Sequence, residues 1–98
     1  MEIKDLQQWV REDWDKESKL INHQTEMLLL IEEIGELAEA IRKLLGNKKR
    51  KKMKADLIGE FGDVLISLIT LANHYQIDLE KAFLKSKQKI KIRHQQGY

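Results

Sequence analysis

Apolar residues recur at helical spacing along nearly the whole chain. Ile3, Leu6, Val10 and Trp14 fall three or four positions apart, Trp9 widens the same side, and together they predict an amphipathic helix ending near residues 15–18. Ser18 or Asn22 can cap a second helix, on which Met27, Leu30, Ile31, Ile34, Leu37, Ala38, Ile41 and Leu44 form one broad stripe before Gly46-Asn47 stops it. A third stripe of Leu57, Ile58, Phe61, Val64, Leu65, Leu68, Ala72 and Tyr75 predicts a helix from near Ala55 to around Gln76. Asp78 then caps a shorter, basic helix over residues 79 to about 92.

Each striped helix must bury its apolar side against another, so the expected fold is all-α: a four-helix-bundle-like single domain over residues 1–98. The absence of proline supports long uninterrupted helices. A chain this short, with two tryptophans and several long stripes, is expected to self-associate to cover what it cannot bury alone. With 42% hydrophobic and 35% charged residues, disordered and collagen-like classes are excluded. No apolar run approaches the roughly 20 residues needed to cross a bilayer, and the first residues lack a signal-peptide pattern, so a cytoplasmic protein without membrane contact is expected. A net charge of +2 is too small to argue for nucleic acid as a partner, although basic residues concentrate at 48–54 and near the C-terminus. A lysine run in a connection or helix start is more often solvated than ligand-binding.

The candidate chemistry lies in the carboxylates. Superimposing the second and third stripes pairs Glu33 with Glu60, Ile34 with Phe61, Gly35 with Gly62 and Glu36 with Asp63, so both helices read acid-apolar-Gly-acid. At about 100° per residue, each pair of acids sits one turn apart on the same shoulder of its core face, and antiparallel packing would bring all four together. Such a cluster repels itself and is tolerable when a cation neutralises it. Without cysteine or a helix-spaced histidine pair, oxygen ligands favour Mg²⁺ or Mn²⁺. A mid-helix glycine costs about 1 kcal/mol against alanine, and two at equivalent positions suggest that backbone or ligand comes close at Gly35 and Gly62. The competing reading is that these acids are solvated helix flanks aided by neighbours such as Glu39–Lys43; it suffices for any one glutamate, and the repeated pattern with its glycines favours the metal site over it.

Glu32-Glu33-Ile34-Gly35-Glu36 followed by Glu60-Phe61-Gly62-Asp63 resembles the EExxE…ExxD signature of the MazG-type all-α nucleotide pyrophosphohydrolases, and the similarity extends over residues 28–93. The resemblance implies that Glu33, Glu36, Glu60 and Asp63 bind magnesium, that Glu32 is a further ligand or orients the attacking water, and that a nucleoside triphosphate is hydrolysed to monophosphate and pyrophosphate. It further implies a homodimer or homotetramer, and nominates Asn73, Lys89 and Arg93 near the nucleotide. Asn73 can equally bridge helices, and Arg93 can be a solvated tail residue. Lys87 stands where many such chains carry asparagine, which departs from the family pattern.

Within the same superfamily, a phosphoribosyl-ATP pyrophosphohydrolase typically carries Tyr-His after the second motif, where this chain has Val64-Leu65-Ile66. A dUTPase-like or dCTPase-like specificity stays open, because no base pocket is legible. A helical module binding nucleic acid or protein through its basic stretches is the alternative from another class, and it leaves the paired acids unexplained. Trp9 and Trp14 suit core or interface packing better than base stacking. His23, His74 and His94 lack metal-ligand spacing.

Overall fold

The structure, a computed structural model, describes residues 1–14, 23–46 and 50–97; the side chains of residues 23–24 and 50–55 are outside that description. The chain is all-α, and no strand occurs among the described residues. Helix α1 spans Ile3–Trp9 and continues as a π-helical turn over Val10–Trp14, where the apolar pattern suggests one regular helix. Helix α2 spans His23–Gly46, α3 Arg50–His74 and α4 Leu79–Gln95. The expected caps at Ser18 and Asn22, the stop at Asn47, and the side chains of the lysine run lie outside the described residues.

Helix α3 begins about a turn earlier than the apolar stripe, because lysine and arginine are good helix formers and nothing in residues 50–54 breaks the backbone. Its end is a Schellman closure: the Ile77 N–H donates to the Ala72 carbonyl (2.9 Å) and the Gln76 N–H to that of Asn73 (3.0 Å). Gln76 takes the left-handed conformation (φ 54°) that the motif demands. Asp78 then caps α4 as expected, accepting from the Glu80 and Lys81 N–H groups at 2.9 and 3.2 Å. Helix α4 runs beyond residue 92 to Gln95, with no buried residue along it.

The most extensive pairing is α2 on α3. It is antiparallel: Glu26, early in α2, meets His74, the last residue of α3, with Oε2 and Nδ1 2.7 Å apart. Helix α1 lies across this end and touches both α3 and α4. The core gathers there, with Val10, Leu30, Ile69 and Ala72 buried beside the polar Gln7, Glu26 and Thr70.

Gln7 ties the arrangement together. Its Nε2 donates to Asn73 Oδ1 and to the Ile77 carbonyl, both at 2.9 Å, and its Oε1 accepts from the Leu79 N–H at 3.0 Å. Asn73 returns a bond from Nδ2 to the Gln7 carbonyl at 3.0 Å. One buried amide therefore clamps α1 to the end of α3, the turn and the start of α4.

Away from this end the stripes are open. Ile34 is 48% exposed, Phe61 56% and Ile58 68%. The radius of gyration is 16.4 Å, against about 13 Å for a compact domain near this length. No described helix is long and apolar enough to cross a membrane.

Replacing Gln7 with alanine orphans the Leu79 N–H and strips partners from Asn73. We expect a loss of about 2–4 kcal/mol in urea-induced unfolding, from about 1–3 kcal/mol for each buried group left unpaired. Gln8→Ala, which removes only an exposed bond to Glu12, should stay within about 0.5 kcal/mol of the parent; equal effects would contradict the clamp.

Candidate metal centre

The antiparallel register sets the acid motifs of α2 and α3 side by side at mid-length. Glu33, Glu36 and Glu60 each present a carboxylate oxygen, and the three oxygens lie within 4.8 Å of one another. Asp63 lines the same cleft as Glu36 and Glu60 and adds to the negative field at Glu33. Three of the four acids paired by internal repetition thus cluster, and the fourth, Asp63, lies in the adjoining cleft. Glu32, next in sequence to Glu33, is exposed and is not part of the cleft wall.

The electrostatics of this meeting are unfavourable by themselves. Burial raises the Glu33 carboxyl above its ordinary range, and the charges of Glu36 and Asp63, a hydrogen bond with Glu36, and the charge of Glu60 push it further the same way. Glu33 Oε2 and Glu60 Oε2 are shielded from solvent and have no hydrogen-bond partner. Unpaired buried carboxylate oxygens are costly. A hard divalent cation satisfies both defects, since it supplies positive charge and accepts oxygen donors only. The donor set therefore fits Mg²⁺ or Mn²⁺.

The cleft has a volume of about 530 Å³, and its wall also includes Glu39, Ala40, Lys43, Asp56 and Gly59. Glu39 pairs with Arg42, accepting from Nε at 3.0 Å and from the terminal nitrogen at 2.6 Å, rather than with Lys43 as its spacing suggests. That contact holds the Glu39 carboxyl below its usual range, with a smaller pull from Lys43. Lys43, Asp56 and Gly59 are not among the site residues that the acid motifs nominate. A signal is nonetheless present: Lys43 follows Glu36 by seven residues and Asp56 precedes Asp63 by seven, two turns in each case and hence one face.

The glycines need a correction. A Cβ built on Gly35 or Gly62 would meet nothing within 4 Å, so neither marks a close approach of packed backbone among the described residues.

The remaining candidates lie elsewhere. Asn73 is engaged with Gln7, also meets Arg11 at 3.5 Å, and lines a separate polar cleft with Lys4, Gln7 and Arg11. Lys89 and Arg93 are exposed on α4. Trp9 and Trp14 are 50% and 42% exposed, and Trp14 borders a small cavity with Glu26 and Thr70. His74 serves the buried Glu26, and His94 is exposed.

The sequence model of the MazG nucleotide pyrophosphohydrolase domain matches residues 21–98, which include both acid motifs. The chain is 43% identical over 58 residues to the uncharacterized protein YpjD of Bacillus subtilis (strain 168), covering 57% of this chain and 52% of that protein. It therefore spans about half the length of that relative. It is 29% identical over 99 residues to the uncharacterized protein YvdC of the same strain, covering 92% of this chain and 93% of that protein.

A carboxyl whose pKa is raised in the fold favours folding when protonated, and opposes it as pH climbs from the ordinary carboxylate range through the raised value. Without divalent metal, the protein should therefore lose stability as pH rises from about 4.5 toward neutrality, and Glu33→Gln should melt higher than the parent at pH 7. Added Mn²⁺ should raise the parent's Tm and leave that of Glu33→Gln nearly unchanged. A variant that melts lower than the metal-free parent would show that the acids do not repel.

Proposed function

Because this chain belongs to the MazG nucleotide pyrophosphohydrolase family, we propose that it is a magnesium-dependent enzyme that hydrolyses a nucleoside triphosphate to monophosphate and pyrophosphate. The observation that carries the reading is the meeting of Glu33, Glu36 and Glu60, with two shielded oxygens that lack partners, beside a cleft of about 530 Å³ that Glu36, Glu60 and Asp63 line. On this reading the described helices and their connections act as one catalytic domain.

Glu33, Glu36, Glu60 and Asp63 hold the metal. Mounted on two rigid helices, they keep their spacing without a loop having to order itself on binding. A bound Mg²⁺ would be held by these carboxylates, offset part of their charge, and supply Lewis-acid chemistry that makes a water more acidic. Water attacks the α-phosphorus; a new P–O bond forms, the anhydride oxygen departs with the β-phosphate, and pyrophosphate leaves. A carboxylate takes the water's proton, and Glu32, exposed beside Glu33, is the group we assign to orient that water. No covalent intermediate with the protein is needed.

The active form is a homodimer or homotetramer. Apolar side chains on α2 and α3, including Ile34 and Phe61 between the acids, are half exposed, and the chain is more extended than a self-contained domain of this size. A second copy laid along those stripes would complete the bundle that one chain leaves open. Neither a membrane nor a nucleic acid is assigned as a partner, and a cytoplasmic setting with magnesium and nucleotides suits the chemistry.

The test is pyrophosphate release across canonical and modified ribo- and deoxyribonucleoside triphosphates and phosphoribosyl-ATP, with and without Mg²⁺. Activity should require the metal, co-elute with a species of at least twice 11.6 kDa, and fall at least about 100-fold in Glu36→Gln, beyond what loss of a supporting residue around a metal costs. Turnover retained in Glu36→Gln would sink the assignment.

A further inference from the structure

Lys43 is the one cation on the described wall of the acidic cleft, beside Glu36, Glu39, Asp56, Glu60 and Asp63. Its nearest expected partner is taken: Arg42 holds Glu39 through two hydrogen bonds. Among the described residues no carboxylate lies within ion-pair distance of the Lys43 ammonium. An exposed, unpaired ammonium therefore stands in a wall that is otherwise acidic or neutral.

Its position along the cleft is set by the helix. Lys43 lies two turns beyond Glu36 on the same face, about 10.5 Å along the axis, and Asp56 and Gly59 flank that end from α3. A substrate whose attacked phosphate is held by a cation at Glu33, Glu36 and Glu60 would extend from there along the cleft. At a purely acidic wall its distal phosphates would be repelled. A lysine stem reaching back from Lys43 meets them with a full charge and three donors. Gly59, whose Cβ position is open, leaves room for the phosphate chain against α3.

We propose that Lys43 binds the β- and γ-phosphates, the part of the substrate that leaves as pyrophosphate, and so selects triphosphates over diphosphates. This rests on the pyrophosphohydrolase reading above, and gives the cleft a direction: nucleoside on the far side of the acid cluster, leaving group toward Lys43.

The experiment compares the full chain with Lys43→Gln, Lys43→Arg and the control Lys85→Gln, whose site lies on exposed α4. Measured are KM and kcat for a triphosphate the parent hydrolyses, inhibition by pyrophosphate and by the matching monophosphate, and Mn²⁺ affinity in the absence of nucleotide. A lost hydrogen bond between charged groups predicts that Lys43→Gln raises KM and weakens pyrophosphate inhibition by about 10- to 100-fold. Monophosphate inhibition and Mn²⁺ affinity should stay near parental, Lys43→Arg should recover most of the loss, and Lys85→Gln should match the parent. Pyrophosphate inhibition unchanged in Lys43→Gln, or weakened monophosphate inhibition instead, overturns the assignment while leaving the hydrolase reading intact. A parent that neither turns over nor binds pyrophosphate with metal overturns both.

Discussion

Bringing like charges together is the constraint around which this molecule is arranged. Glu33, Glu36 and Glu60 sit with oxygens within 4.8 Å of one another, and Asp63 adds to the same field. A hydrogen bond joins Glu33 to Glu36, but Glu33 Oε2 and Glu60 Oε2 have no partner. Packing elsewhere must hold the helices in place against this repulsion. The antiparallel pairing of α2 and α3 does so with a small core concentrated at one end, closed by the Glu26–His74 contact and by the Gln7 clamp. The acids lie near the middle of the helices, beyond that core, where the apolar side chains are half exposed.

Two needs of the structure therefore coincide in space. The region where acidic side chains crowd is also a region of exposed apolar side chains, with Ile34 and Phe61 set between the paired acids. On the proposed reading, a divalent ion would relieve the electrostatic defect and leave the hydrophobic one, and a second copy of the chain would cover the stripes and leave the charges. Metal loading and association are each expected to stabilise the same stretch of helix by mass action. The open Cβ positions at Gly35 and Gly62 belong to this picture, since space left free inside one chain is available to a ligand or a neighbour.

Much of this is legible in the amino-acid sequence, for reasons of period. An acid-apolar-Gly-acid pattern repeated on two long stripes fixes the angular position of each carboxylate, and angular position is what helix packing converts into proximity. The Asp78 cap is legible because its geometry is local. Other features depend on register between distant segments. Gln7 is one of two adjacent glutamines in an unremarkable first helix, and its partners lie at the other end of the chain. Glu26 and His74 carry no spacing signal because they meet only when the helices are antiparallel. Arg42 rather than Lys43 takes Glu39, a choice between i+3 and i+4 partners that side-chain packing decides. The π-helical turn at Val10–Trp14 leaves no mark in a stripe that reads as regular helix.

The most direct measurement of the central claim is anomalous diffraction from crystals grown with Mn²⁺ and a nonhydrolysable triphosphate. A peak about 2.1 Å from carboxylate oxygens of Glu33, Glu36 and Glu60, with phosphate oxygens completing the shell, is the expected result. Those side chains turned apart, with the ion and nucleotide bound elsewhere, would contradict it.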